Sequence, residues 1–230
     1  MATQADPDDK YQSHEPRPPD AVAAGIIISP DTRRQDRMPP GQSRTRKWPV
    51  LHYGHVPTIS VDRWKLQLFG LVDQPLVFTW QEFQALPRVK VYADFHCVTR
   101  WSRLDNIWEG VSVHAILGHA GLKPEARFVV AHGYDSGWTT NLPLADFLAA
   151  DALIADLHDG EPLTADHGGP CRLIIPQLYA WKSAKWLRAL EFVAEDRPGY
   201  WEQGGYHNHG DPWVQNSHHP DGERFTVKEQ

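Results

Sequence analysis

VKVYADFHCVTRWS, residues 89–102, decides how the chain is read. Its first seven residues form a short alternating run, the period-two pattern of a strand. Cys97 stands at the strand's end, beside His96 and just ahead of Arg100 and Trp101. The chain has only two cysteines, Cys97 and Cys171. A lone cysteine in such a place is either a small core hydrophobe or a soft ligand. A nearby cation such as Arg100 lowers a thiol's pKa and favours the thiolate, the form that attacks or ligates. A cysteine nucleophile would want a histidine base. His96 is adjacent, but neighbours on an extended chain face opposite sides, so the dipeptide makes a poor dyad.

Outward from that strand, short strands and short helices alternate irregularly. WKLQLFGLV (64–72) reads as a strand that bends at Gly70. In TWQEFQAL (79–86), Thr79 and Glu82 form the capping box of a short helix. VSVHAILGHAG (111–121) predicts a helix closed by Gly121, and LPLADFLAA (142–150) another, with Asn141 as its cap. RFVVAHG (127–133), CRLIIP (171–176) and KWLRALEFVAE (185–195) read as strands. ALIADLHDGEPL (152–163) reads as a strand, a turn at Asp159–Gly160 and a further extended piece. No βαβ unit repeats and no GxGxxG is present. The pattern predicts a mixed α+β domain and not a doubly wound nucleotide fold.

Composition narrows the classes. A chain of 230 residues fits one domain of good size, and ten tryptophans are unusually many. The formal charge of −6 argues against a nucleic-acid binder, which needs a basic face. Two cysteines make no disulfide framework and suit a reducing compartment. No apolar run reaches membrane-span length, and the first 30 residues lack a basic n-region and a proper h-region. The expectation is a cytoplasmic protein. Residues 1–47, rich in Pro, Asp, Arg and Gln, are expected to be extended or poorly ordered, though GIIIS could add an edge strand. The domain then spans 48–214, and 215–230 form a tail.

Four polar stretches carry candidate chemistry. HGGPCRLIIPQLYAWKSAKW (167–186) sets His167, Arg172, Lys182, Ser183 and Lys185 around an apolar strand. The plain reading is solvated charge beside a buried strand. The functional reading is an anion site, with Gly168 and Gly169 allowing close backbone approach and Arg172 offering a planar fork for phosphate. PGYWEQGGYHNHGDPW (198–213) crowds Tyr206, His207 and His209 into a glycine-rich loop. His207 and His209, with His218 and His219, could form a zinc or nickel site, but no cysteine is spaced with them and such a site wants three or four convergent ligands. In HGYDSGWTTNLPLADF (132–147), Thr139 and Thr140 follow a turn and could face a ligand. VLHYGHVP (50–57) places His52, Tyr53 and His55 at a domain entrance.

Taken together, HCVTRWS, WEG (108–110), DSGWTTNLPL, the 167–186 stretch and YWEQGGYHNHGDPW resemble the molybdenum domain of the sulfite oxidase family, in its small single-domain bacterial branch. They come in that family's order and spacing across roughly 48–214. The resemblance implies a mixed-sheet molybdopterin-binding domain and a molybdenum–molybdopterin cofactor. It implies Cys97 as the one protein ligand to the metal. Tyr53, His55, Thr139, Thr140, His167, Arg172, Lys182, Ser183 and Lys185 would contact the cofactor. Arg100 would steer an oxyanion, and Tyr206 would act as the active-site tyrosine. The expected reaction is two-electron oxygen-atom transfer on a small-molecule substrate. Electrons would pass through a separate partner, a haem or flavin/iron–sulfur protein. Tyr53 stands where the family's sulfite oxidases carry an arginine, which makes sulfite a poor candidate. No twin-arginine signal opens the sequence, unlike the exported methionine-sulfoxide-reducing branch. The readings from other classes are a non-catalytic molybdopterin-binding module and a His-rich zinc or nickel protein.

Overall fold

The computed structural model describes residues 19, 22–135 and 137–226. Of the expected terminal segments, residues 1–18, 20, 21 and 227–230 lie outside that set.

The chain opens with two short strands, β1 (Ile27–Ile28) and β2 (Ser43–Arg44). Next come β3 (Lys65–Gly70), β4 (Leu76–Thr79) and helix α1 (Trp80–Gln84). The long pair β5 (Arg88–Cys97) and β6 (Trp101–Ser112) follows, then helix α2 (Val113–Ala120), β7 (Phe128–Gly133), β8 (Thr139–Pro143) and the one-turn helix α3 (Leu144–Phe147). The strands β9 (Leu153–His158), β10 (Glu161–Pro162), β11 (Arg172–Ile174) and β12 (Leu187–Val193) precede a last short helix, α4 (Tyr200–Gln203). One sheet runs β1-β5-β6-β9-β10, with β11 also on β9 and β2 on β6; the other runs β4-β3-β12-β7-β8. Parallel pairs (β1 with β5, β2 with β6, β3 with β12) sit among antiparallel ones, which makes this an α+β fold of mixed sheets.

Local chemistry explains several boundaries. Glu82 N donates to Thr79 Oγ1 at 3.3 Å and Thr79 N donates to Glu82 Oε2 at 2.8 Å, the reciprocal cap that starts α1. Helix α2 stops at Gly121, which adopts φ 65°, open to glycine at little cost. The expected helix over 142–150 shrinks to one turn. Pro143 takes its N-cap position, and Asn141 is no cap: it lies buried in β8 and donates to Asp196 Oδ1 at 2.7 Å and Asn208 Oδ1 at 2.9 Å.

Strand β6 alternates in burial over its middle, with Asp105, Ile107 and Glu109 half-buried and Asn106 and Trp108 buried, but each face mixes polar and apolar residues, so the sequence shows no clean period of two. The main core fills the space between the sheets with Leu66, Leu68, Ile116, Ile154, Leu190 and Phe192. On the opposite face Val91, Phe95, Trp108 and Ile174 form a second cluster under Trp48 and Ile27. The N-terminal segment helps make that cover. Ile27 and Ile28 pair in parallel with Val91 and Tyr92, and the Arg37 guanidinium meets Asp94 at 2.6 Å and Asp105 at 2.9 Å. Among the described residues no helix is long and apolar enough to cross a membrane.

Candidate functional site

Cys97 ends β5, and a tight turn leads into β6. Arg100 N donates to Cys97 O at 3.0 Å, and Arg100 takes the left-handed conformation, φ 70°. The turn leaves the Cys97 side chain at the wall of a cleft of about 210 Å³ that Arg172, Ser183, Lys185 and Tyr206 also line. Cys97 is a free thiol, 8 % exposed, and Thr99 Oγ1 donates to its sulfur at 3.2 Å. Burial pushes the thiol's pKa up; the Thr99 hydrogen bond and the Lys185 ammonium act in the opposite direction. A bound metal ion supplies what burial removes, since a coordinating thiol is deprotonated outright.

Arg172, on β11, is the buried cation of the site. Its Nη1 donates to His167 O at 2.9 Å and its Nη2 to Ser183 O at 2.8 Å. Its Nε, buried, has no partner among the described residues. The guanidinium lies over the rings of Phe95 (5.3 Å), Trp48 (5.7 Å) and Trp108 (6.0 Å). Burial pulls its pKa down to about 9. Lys185 Nζ donates to Asp166 O at 2.6 Å, and burial together with Arg172 pulls its pKa down to about 7. Facing these cations is Asp135, whose buried Oδ1 has no partner among the described residues and whose pKa burial raises to about 6. A soft sulfur, two cations and an orphaned carboxylate oxygen on one cleft fit a molybdopterin. The sulfur would suit the metal, the cations a phosphate, and the carboxylate a ring N–H.

The other sequence-derived residues divide. Tyr206 lines the cleft between Trp181 (5.2 Å) and Trp201 (5.0 Å), and among the described residues its hydroxyl makes no hydrogen bond. Tyr53 lines the mouth, its ring 4.3 Å from that of Tyr200. His167 stands behind Arg172, stacked on Trp48 at 3.8 Å. His55 is exposed and Thr139 is half-buried in β8; neither lines the cleft. Thr140 is buried and donates to Glu202 Oε1 at 2.9 Å. Lys182 is also spent away from the cleft. Fully buried, it pairs with Glu202 at 2.7 Å and donates to the carbonyls of Asn141 and Asn208.

Arg100 departs most from expectation. Its guanidinium turns to Asp221 at 2.7 Å, half-exposed, and it does not line the cleft. Lys185, not Arg100, is the cation that draws on the Cys97 thiol. The two glycines differ from expectation as well. A Cβ at Gly168 would meet Lys185 Cβ at 2.9 Å, and one at Gly169 would meet Leu163 O at 2.3 Å. Their close approach seats Lys185 and the preceding turn.

Trp181 and Trp201 stand in stretches that sequence reasoning singled out, while it passed over Asp135 and the aromatic walls Trp138 and Trp186. The tryptophan count was their one signal. His207 and His209 are turned to carboxylates of the fold. His209 sits between Asp146 (3.0 Å) and Glu223 (2.9 Å), and His207 lies 3.2 Å from the same Glu223. Among the described residues no group of three or more His, Cys, Asp or Glu side chains is arranged to hold a metal ion.

Comparison with known proteins places the family. The profile of the oxidoreductase molybdopterin binding domain matches residues 53–201. The chain is 52 % identical over 186 residues to the uncharacterized oxidoreductase YuiH of Bacillus subtilis, covering 79 % of this chain and 93 % of that protein. It is 32 % identical to a putative protein-methionine-sulfoxide reductase subunit, YedZ1, of Azospira oryzae, covering 70 % of this chain and 62 % of that one. Among solved structures, the sulfane dehydrogenase SoxCD of Paracoccus pantotrophus superimposes with a TM-score of 0.58 at 26 % identity, over 63 % of this chain and 41 % of that chain. The chain is an oxidoreductase of the sulfite oxidase-like type that takes molybdenum–molybdopterin, and it belongs to the oxidoreductase molybdopterin binding domain family.

Proposed function

We propose that this protein is a molybdenum-dependent oxidoreductase that moves an oxygen atom to or from a small, uncharged oxo substrate. The observation that carries the reading is the placement of Cys97 on one cleft with Arg172 and Lys185. When bound, the cofactor supplies two-electron oxygen-atom exchange. Cys97 ligates the metal, and the Thr99 hydroxyl, 3.2 Å from the sulfur, orients and tunes that ligand. Arg172, Ser183 and Lys185 hold the phosphate, and the free Asp135 oxygen accepts from the pterin ring. Tyr206 donates a hydrogen bond or a proton to the substrate oxygen. Burial raises its pKa, so the phenol keeps its proton at neutral pH. In the reducing direction X=O, two electrons and two protons give X and water.

The substrate class follows from where the cations are. Arg172 and Lys185 are committed to carbonyls and to the cofactor, and Arg100 faces Asp221. Around Cys97 the walls are Tyr179, Trp181, Trp201 and Tyr206. An oxyanion such as sulfite would enter an aromatic chamber with no spare Arg or Lys among the described lining residues, and burying an unpaired charge costs heavily. The electron partner is a separate haem or flavin/iron–sulfur protein, and the cytoplasm is the proposed compartment, in keeping with two free cysteines.

The test is turnover of enzyme expressed with molybdate. Dimethyl sulfoxide and trimethylamine N-oxide are assayed with reduced viologen, and sulfite with ferricyanide. The reading predicts turnover of an uncharged oxide that depends on molybdenum. Turnover of sulfite alone overturns the substrate class, and a loaded protein inert toward all of them supports the non-catalytic binding module.

A further inference from the structure

The turn that presents Cys97 is gripped from outside residues 53–201, the span that the family profile matches. On the N-terminal side Gln42 Nε2 donates to Cys97 O at 3.2 Å, while its Oε1 lies 3.4 Å from the Ser102 hydroxyl that donates to it. Pairing of Ser43 and Arg44 with Trp101 and Ser102 fixes Gln42 beside the turn. On the C-terminal side the Arg224 guanidinium donates to Val98 O twice, from Nε at 2.9 Å and Nη2 at 2.7 Å. Asp221, three residues earlier, receives Arg100, the last residue of the turn. Every residue of the turn but Thr99 is therefore held by a flank, and the Thr99 hydroxyl bonds the sulfur itself.

The C-terminal strap is anchored at the other wall of the cleft as well. Thr226 N donates to Gly205 O and Thr226 Oγ1 to Tyr206 O, both at 3.0 Å. Phe225 packs edge-on against the Tyr206 ring at 5.3 Å, and Glu223 takes His209 at 2.9 Å. One short segment thus spans the thiol-bearing turn and the tyrosine that faces it.

We propose that Arg224 and Gln42 are positioning residues for Cys97. They fix the two carbonyls at and after the cysteine, so that the turn cannot swing its sulfur out of the cleft. The proposal rests on the reading of Cys97 as the metal's ligand, but its first test does not. A planar guanidinium making two donations to one carbonyl resists rotation that a single flexible donor permits. Partners of this kind, one step removed from a metal, commonly shift affinity or tuning by about 10–100-fold.

The experiment uses full-length protein in a Cys171→Ala background, so that a thiol reagent reports Cys97 alone. In the cofactor-free protein, Arg224→Ala is expected to speed labelling of Cys97 by roughly tenfold or more, because local opening of the turn becomes cheaper. Gln42→Ala should give a smaller increase, and Arg224→Lys should fall between wild type and Arg224→Ala. In the loaded protein the same order is expected in the shift of the sulfur-to-molybdenum absorption band. If Arg224→Ala does not fold, Arg224→Lys and Gln42→Ala carry the same ranking. Unchanged labelling in folded variants overturns the proposal. Faster labelling, with a metal spectrum that never responds to Cys97, upholds the clamp and sinks the ligand reading instead.

Discussion

The Arg172 guanidinium lies 5.3 Å over the ring of Phe95, two residues before Cys97 on the same strand. A cation with no carboxylate partner among the described residues is thus buried beside the candidate metal ligand, with Nε left over. A protein that gained only stability from this residue would do as well with an apolar side chain. Arg172→Met keeps much of the volume among Phe95, Trp48 and Trp108 but removes the donors. We expect pterin content per mole of protein to fall by roughly ten- to a hundredfold, the loss of charge-assisted hydrogen bonds worth about 1.5–3 kcal/mol each. Melting of the cofactor-free protein should also fall, because the carbonyls of His167 and Ser183 lose their donor, so pterin is counted per mole of folded protein. Fluorescent pterin released by oxidation measures the first quantity, and calorimetry the second.

Lys185 makes the site's anion affinity depend on pH. Its pKa of about 7 in the cofactor-free protein, against an ordinary 10.5, means that it is a cation below pH 7 and largely neutral above it. Binding of inorganic phosphate, followed through the fluorescence of Trp186, 5.4 Å from the Lys185 Nζ, should weaken as pH rises from 6 to 8 beyond what phosphate ionisation explains. In Lys185→Gln that excess slope should vanish. The stability sign runs the other way. A depressed pKa on a base costs the folded state below pH 7, and the cost fades as pH rises from 7 toward 10.5.

Tyr206 should separate chemistry from binding. Tyr206→Phe keeps the ring between Trp181 and Trp201 and deletes the hydroxyl. Loss of a general acid of this kind lowers kcat by about 10²–10⁴-fold. Molybdenum and pterin content should stay at the wild-type level. A variant with unchanged kcat removes Tyr206 from the reaction.

The pair Lys182–Glu202 predicts the opposite profile. Both side chains are buried, with Thr140 and Trp181 also bonded to Glu202. Lys182→Met leaves a buried carboxylate uncompensated and should cost about 3–5 kcal/mol in denaturant unfolding. Lys182→Met with Glu202→Gln should recover most of it. Pterin per mole of folded protein should not change, which a direct cofactor contact at Lys182 would contradict.

These residues also mark what the sequence discloses. The Thr79–Glu82 cap, the stop at Gly121 and the strand that ends at Cys97 were legible because each is decided within a few residues. Strand β6 was not, since buried Asn106 shares a face with Trp108 while Ile107 lies between Asp105 and Glu109 on the other, which hides the alternation. Lys182 reads as one more surface cation until Glu202, 20 residues on, is folded onto it. Arg100 reads as a neighbour of the thiol until Asp221, 121 residues away, turns it outward. The set of candidate residues was visible as motifs in order. Which of them share a cleft depends on long-range partners that no local pattern encodes.

Counting the sulfurs around molybdenum tests the central claim most directly. X-ray absorption at the molybdenum edge should find one more sulfur in the wild-type holoenzyme than in Cys97→Ser, with pterin retained in both. The same sulfur count in the two proteins contradicts the account, because the metal would then sit in this domain without Cys97.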